Sequence, residues 1–287
     1  QLFLNNAGGN GLNCVQDTTI NGSGTLKFST SDTALNGGYN YLDLGVTFGK
    51  TLTINTGITG PGGIETWSTS GNFVFNGTNT FLGHICFGTT GSIFVKNIGN
   101  RGSMTSNLGA GTNLYFNANG RLVYTGTGET TDRLIVMSSG DGKIEQAGPS
   151  GKLTFTATPV LTTARTLNLQ GSTDAIGEFA GALANTAANA LSLAKNGSGT
   201  WILSGTNTYT GATAINGGKL LVNSPGGLLG AGSAVTVNYG TVLGGTGKLN
   251  GSVTLNAGGM LAPGDINSAG TLTLNSSLTM TSATLFH

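Results

Sequence analysis

Short alternating segments recur along the whole chain. "TLKFS" from Thr25, "TLTIN" from Thr51, "KLTFT" from Lys152, "TLNLQ" from Thr166, "SVTLN" from Ser252 and "TLTLN" from Thr271 each set two apolar residues two positions apart. On a strand, that period puts both apolar side chains on one face and leaves Thr, Ser, Asn or Lys toward water. Helical spacing is nearly absent. The Ala-rich stretch from Ile176 to Ala194 is flanked by strands, and a short helix there is the minor alternative.

The distance between these segments carries more than the segments themselves. "NFVF" starts at Asn72, "SIFV" at Ser92, "NLYF" at Asn113, "RLIV" at Arg133 and "KLTF" at Lys152, in steps of 20, 21, 20 and 19. "AVTV" at Ala234, "SVTL" at Ser252 and "TLTL" at Thr271 follow at 18 and 19. A step near 20 indicates a solenoid, in which each unit buries its apolar face only against its neighbours. The L-x-x-L-x-L-x-x-N frame of leucine-rich repeats is missing, so the expected architecture is a parallel β-helix with about 20 residues per coil. Fourteen or so such coils at ~4.8 Å each make a rod about 65 to 70 Å long.

Composition fits that reading. The chain holds 51 glycines in 287 residues, and only 8% of it is charged. Disorder is excluded by a mean hydropathy of +0.09 and just 5 prolines, so the glycines punctuate ordered turns. Outward Thr and Ser stack down the faces in place of charge. The net charge is +1 and the 12 basic residues lie singly between Lys27 and Lys248, so no patch can neutralise a run of nucleic-acid phosphates. No apolar run approaches the roughly 18 residues of a membrane span, and membrane insertion by this segment is not expected.

One stretch, "LAKNGSGTWILSGTNTYTGATAINGGKLLVN" from Leu193 to Asn223, resembles the autotransporter-associated β-strand repeat of secreted bacterial passenger domains. The following Val235–Met280 is similar to the usual continuation of such passengers, and Phe73–Asn97 is a fainter copy of the repeat. The resemblance implies a right-handed parallel β-helix, extracellular or on a bacterial cell surface, without catalytic residues or cofactors. It divides a single β-helix domain, 1–287, into divergent coils over 1–165 and repeat-like coils over 166–287. No membrane β-barrel translocator accompanies them, which suggests a fragment, a processed passenger, or a subunit completed by another molecule. Strand alternation from "LFL" at Leu2 to "ATLF" shows no polar cap, so end-to-end self-association into filaments is expected.

Candidate chemistry is sparse. "GGTGKL", Gly244–Leu249, has the Gly-Lys of a phosphate loop but Leu249 where magnesium needs a hydroxyl, and it reads as a coil corner. "GGNGLNCVQ", Gly8–Gln16, resembles a calcium-binding nonapeptide with Asn13 in place of Asp, and a turn is preferred to a metal site. Cys14 and Cys86 are either free thiols or one structural disulfide. His84 and Cys86 share a strand face but have no third partner, so a surface histidine near a disulfide is preferred to a nucleophilic pair.

The only dense charge comprises Glu129, Asp132, Arg133, Asp141, Lys143 and Glu145. Alternation in "DGKIEQ" places Asp141, Lys143 and Glu145 on one outward face, either as a solvated ion ladder or, if the protein is an enzyme, as its acids and base. Tyr39, Tyr41, Trp67, Phe81, Trp201 and Tyr209 are candidates for stacking on sugars if outward; alternation assigns Trp201, Phe73 and Phe75 to the core and leaves Phe81 and Tyr209, at the corners of the two repeat copies, open to either reading. The expected function is therefore a non-catalytic structural or adhesive module whose partners are other copies of itself or host and matrix glycans. The alternative is a polysaccharide-binding or polysaccharide-degrading β-helix.

Overall fold

The computed structural model describes residues 2–5, 11–27, 41–67, 71–88, 90–186, 189–224, 233–281 and 285–286, without the side chains of 2–5, 67 and 285–286. Among them there is no helix, and almost every strand hydrogen-bonds in parallel to strands one coil before and after it. The result is a parallel β-helix with three faces. The first face has eight strands, from Leu2–Asn5 to Val160–Leu161; the second has twelve, from Thr18–Ile20 to Leu278–Met280. The third has nine, beginning at Glu129–Thr131 and including Met260–Asp265 and Leu285–Phe286. Antiparallel pairing occurs where Leu2–Asn5 lies on Gly11–Cys14 and where Gly264–Asp265 lies on Ser268–Ala269.

Coil length varies more than an even step of 20. Val235 pairs with Val253, 18 residues on, whereas Ser92 pairs with Arg121, 29 on, and Thr18 with Leu52, 34 on. Asn72 and Ser92 do share the second face, but "NLYF" and "RLIV" lie on the first and "KLTF" on the third. The regular spacing thus partly tracks successive faces within a coil. Twelve rungs on the longest face span about 50 to 55 Å at ~4.8 Å per rung, fewer and shorter than fourteen even coils.

Alternation decides what goes inside. Strands such as Thr51–Ile54, Asn72–Phe75 and Asn113–Phe116 bury every second residue, and those residues join one continuous core. Because equivalent residues on neighbouring coils lie one rung apart, aromatic rings stack along the axis. Phe87 lies on Phe116 on the first face, with centroids 4.4 Å apart and planes 2° apart, and Phe155, Phe179 and Trp201 form a second stack on the third face. Trp201 pairs with Leu220 and Leu203 with Val222, all four buried, 19 residues or one short coil apart. The Trp201 ring occupies the place a Cβ on Gly177 would take, 2.3 Å from it, so that rung requires glycine. The Ile176–Ala194 stretch supplies the strand Ile176–Phe179 and part of Leu191–Lys195.

The corners are held by side-chain amides. Asn196 donates to Asn168, Asn216 to Asn196, Asn238 to Asn216 and Asn256 to Asn238, at 2.7 to 3.3 Å. Near the other end Asn76 donates to Asn55 and Asn55 to Asn21. A residue type that sequence reading treats as turn-former here forms a ladder parallel to the backbone one.

Candidate functional site

The acidic candidates are outward, and they are spent on the neighbouring rungs. In Gly142–Gln146, Lys143 and Glu145 alternate with buried neighbours. Glu145 Oε2 accepts from Arg121 Nη1 at 2.8 Å, one rung below, and Asp141 Oδ1 accepts from the Thr166 amide at 2.9 Å, one rung above. Lys143 stands between Arg121 and Asn168 in the register. One ion pair and one hydrogen bond thus link these coils.

Glu129, Asp132 and Arg133 serve a different purpose. Arg133 is fully buried, and its guanidinium donates to the carbonyls of Gly99, Leu108, Gly109 and Gly111 and to Ser106 Oγ. Glu129 accepts from the amides of Ile98 and Gly99, and Asp132 from that of Arg101. All three tie down the excursion between Ser92–Val95 and Asn113–Phe116. Burial pushes Arg133 down to about 10, while Glu129 and Asp132 hold it up.

The cysteines correct an expectation. Cys14 and Cys86 are both free and buried, and they stand three strands apart on the first face. Three rungs are about 14 Å, far beyond the roughly 7 Å that a disulfide can bridge. Cys86 points outward yet is 2% exposed; its thiol donates to Glu65 Oε1 at 3.5 Å and accepts from Asn117 Nδ2 at 2.8 Å. Burial and the adjacent Glu65 push that thiol far up, which leaves no thiolate for nucleophilic work. His84 lies half-buried against Tyr115, ring centroids 5.2 Å apart, and burial followed by the charge of Arg133 lowers its pKa. No Cys/His nucleophile results.

The aromatic candidates divide in the same way. Phe81, Trp201 and Tyr209 are wholly buried; the Tyr209 hydroxyl pairs with Thr213 Oγ1 at 2.6 Å and Trp201 Nε1 donates to Gln170 O at 2.7 Å. Tyr39, the Trp67 side chain and Gly8–Asn10 of the calcium-like segment lie outside the described residues. Asn13 sits beside Gly45, and "GGTGKL" forms a corner whose Leu249 is buried.

Sequence reading missed a place where two acids and two tyrosines share one face. On the first face Asp43, Glu65, Cys86 and Tyr115 are consecutive partners in the register, and Tyr41 is two residues from Asp43 on the same side. His84 joins them through Tyr115. Asp43 and Glu65 take part in none of the three ion pairs among the described residues. Burial, then the charge of Glu65, raises the Asp43 carboxyl to about 6. Such a surface accepts hydrogen bonds from hydroxyls and offers ring faces to C–H groups. The available signal was the spacing of 22 and then 21 residues from Asp43 to Glu65 to Cys86, one coil each.

A family model, the passenger-associated transport repeat, matches residues 193–222. That range opens within Leu191–Lys195, contains Thr200–Leu203 and Thr213–Ile215, and closes with Lys219–Val222, with Trp201 in the core. The chain carries a passenger-type repeat. It is also 36% identical over 170 residues to the adhesin BmaC autotransporter of Brucella suis biovar 1 (strain 1330). The match covers 56% of this chain and 5% of that much longer protein. No solved structure matches. The passenger repeat is thus built from core and corner residues, and the acid-aromatic surface of the first face lies outside it.

Proposed function

We propose that this chain is a rod segment of a secreted or surface-exposed bacterial passenger, working by display and adhesion without catalysis. The observation that carries the reading is where the outward charges go. Glu145 on Arg121, Glu178 on Lys152 and Asp141 on the Thr166 amide all join one coil to the next. Adhesion is supported by the name of the autotransporter that shares 36% identity with it. The purified chain, coated on beads, is expected to bind host cells or extracellular matrix and to be competed off by free chain. Beads that bind no better than uncoated ones sink the adhesive reading.

Self-association belongs to the same proposal. Ile176, Val242 and Met260 alternate with core residues on the third face and are partly exposed, which supports lateral contact between copies, whereas Ile202 and Leu221 between them are already covered. A second reading, glycan binding at the first face, is favoured by the grouping of Tyr41, Asp43, Glu65, His84 and Tyr115. In a glycan array, loss of a signal on changing Tyr115 to Ala supports it. Release of shorter saccharides would turn it into a polysaccharide-degrading enzyme instead.

A further inference from the structure

The sequence holds five Asn-Xaa-Ser/Thr triplets, at Asn21, Asn76, Asn196, Asn250 and Asn275. This is the triplet on which N-linked glycans are built in secreted proteins. Their geometry is not equivalent. Asn76 Nδ2 donates to Asn55, Asn196 Nδ2 to Asn168, and Asn275 Nδ2 to Asn250, so three of the five amide nitrogens are committed to corner ladders. Each ladder runs in one direction, every amide donating to the rung before it. Asn21 and Asn250 are both first rungs, each accepting from the rung after it, and among the described residues neither donates its Nδ2; the first rung Asn168 differs in donating to the Thr166 carbonyl.

Backbone packing separates those two. A Cβ on Gly251, next to Asn250, would meet the Ser233 carbonyl oxygen at 1.7 Å, so that triplet is pressed onto the coil below. A Cβ on Gly77 or Gly197, the middle glycines of the Asn76 and Asn196 triplets, would likewise run into the Thr56 or Gly171 carbonyl oxygen. Among the described residues the chain around Asn21 is less closely packed, although the Ile20 and Gly24 carbonyls accept from Asn55 and Thr56. Residues 21–25 are all exposed, Gly24 has nothing within 4 Å of its Cβ position, and Gly22 has only Gly24 N at 3.9 Å.

We propose that Asn21 is an acceptor for an N-linked glycan, with Ser23 as the hydroxyl of its triplet. In the transfer, Asn21 Nδ2 attacks the anomeric carbon of a sugar activated as a phosphate or pyrophosphate ester. A C–N bond forms, the C–O bond to phosphate breaks, the phosphate leaves with the electron pair, and the amide loses one proton. Asn21 Oδ1 continues to accept from Asn55 Nδ2 at 2.7 Å, so the ladder survives the modification. A sugar on Asn76, Asn196 or Asn275 would instead stand between rungs about 4.8 Å apart.

The test is site-resolved mass spectrometry on the chain isolated from the bacterium that produces it, alongside Asn21→Gln and Ser23→Ala variants expressed there. The expected result is a mass increment of one or more sugar residues on the Asn21 peptide, lost in both variants, with thermal unfolding still cooperative. The peptides holding Asn76, Asn196 and Asn275 are expected unmodified. An unmodified Asn21 peptide overturns the proposal, and so does equal modification of the ladder asparagines. Retention of the increment in Ser23→Ala also overturns it, because the triplet would then not be what is recognised.

Discussion

At the scale of single residues, with the exception of Glu178, where burial is outweighed by Lys152 and Ser204, which hold the carboxyl down, most departures from ordinary side-chain behaviour arise from burial. Asp43 is the clearest case. Its carboxyl is half-buried on the first face with Glu65 on the next rung, and it is raised to about 6 from the ordinary 3.8. A carboxyl raised on folding binds its proton more tightly in the native state. Its contribution to stability is full below about pH 4 and is lost as the pH climbs through 6. Asp43→Asn is therefore expected to raise the melting temperature at pH 8 and leave it unchanged near pH 4. The gain has an upper bound of about 3 kcal/mol, with Glu65 sharing the effect. Thermal unfolding of both proteins across that range decides it; a difference that grows toward low pH reverses the sign and removes the argument.

At the scale of elements, the strands were legible and their assignment to faces was not. "WIL" and "KLLV" gave the coil, because Trp201 and Leu203 alternate as Leu220 and Val222 do, and all four fill the core. "NLYF" and "KLTF" look like two more coils of the same face, yet they lie on different faces, since alternation records inside and outside but not which of three sides. Asp43 and Glu65 stayed hidden for the same reason: only the register of two strands makes them neighbours. Tyr209 and Phe81, at equivalent corners of two repeat copies, gave no sequence signal of their burial. The asparagine ladder has a consequence of its own at this scale. Asn216→Ala removes two rungs, its donation to Asn196 and its acceptance from Asn238, while Asn256→Ala removes the donation to Asn238. Exposed bonds of this kind are modest, so Asn216→Ala is expected to cost about 1 to 2 kcal/mol and Asn256→Ala about half that, read from urea midpoints. Equal costs would mean that the backbone ladder alone holds the corner.

For the whole molecule, stability follows from how many faces carry strands at each level. Among the described residues, the only pairing away from the first two faces near the start of the chain is Thr25–Lys27 on Gly57–Thr59, and beyond Val160–Leu161 the first face has no further strand. Between them, from Asn113–Phe116 to Ile176–Phe179, all three faces are hydrogen-bonded. Arg133 sits in this part, its guanidinium held by backbone carbonyls and Ser106, and the Phe87–Phe116 and Phe155–Phe179 stacks bracket it in the sequence. A solenoid's stability is a sum of unit and neighbour terms, so a level with three ladders opens less readily than one with two. Native-state hydrogen exchange is expected to be slowest for amides of Leu134–Met137, Gly142–Gln146 and Lys152–Phe155. It should quicken toward Thr18–Ile20 on one side and toward Leu278–Met280, whose residues are largely exposed, on the other. Exchange that is uniform along the second face would mean that the rod unfolds as one unit and that the third ladder adds nothing local. A graded profile would instead place Tyr41, Asp43 and Glu65 of the first-face surface proposed to bind glycans on coils that loosen before the centre, to which Tyr115 belongs, so any binding there would be expected to weaken on heating before the far-ultraviolet signal of the sheet is lost.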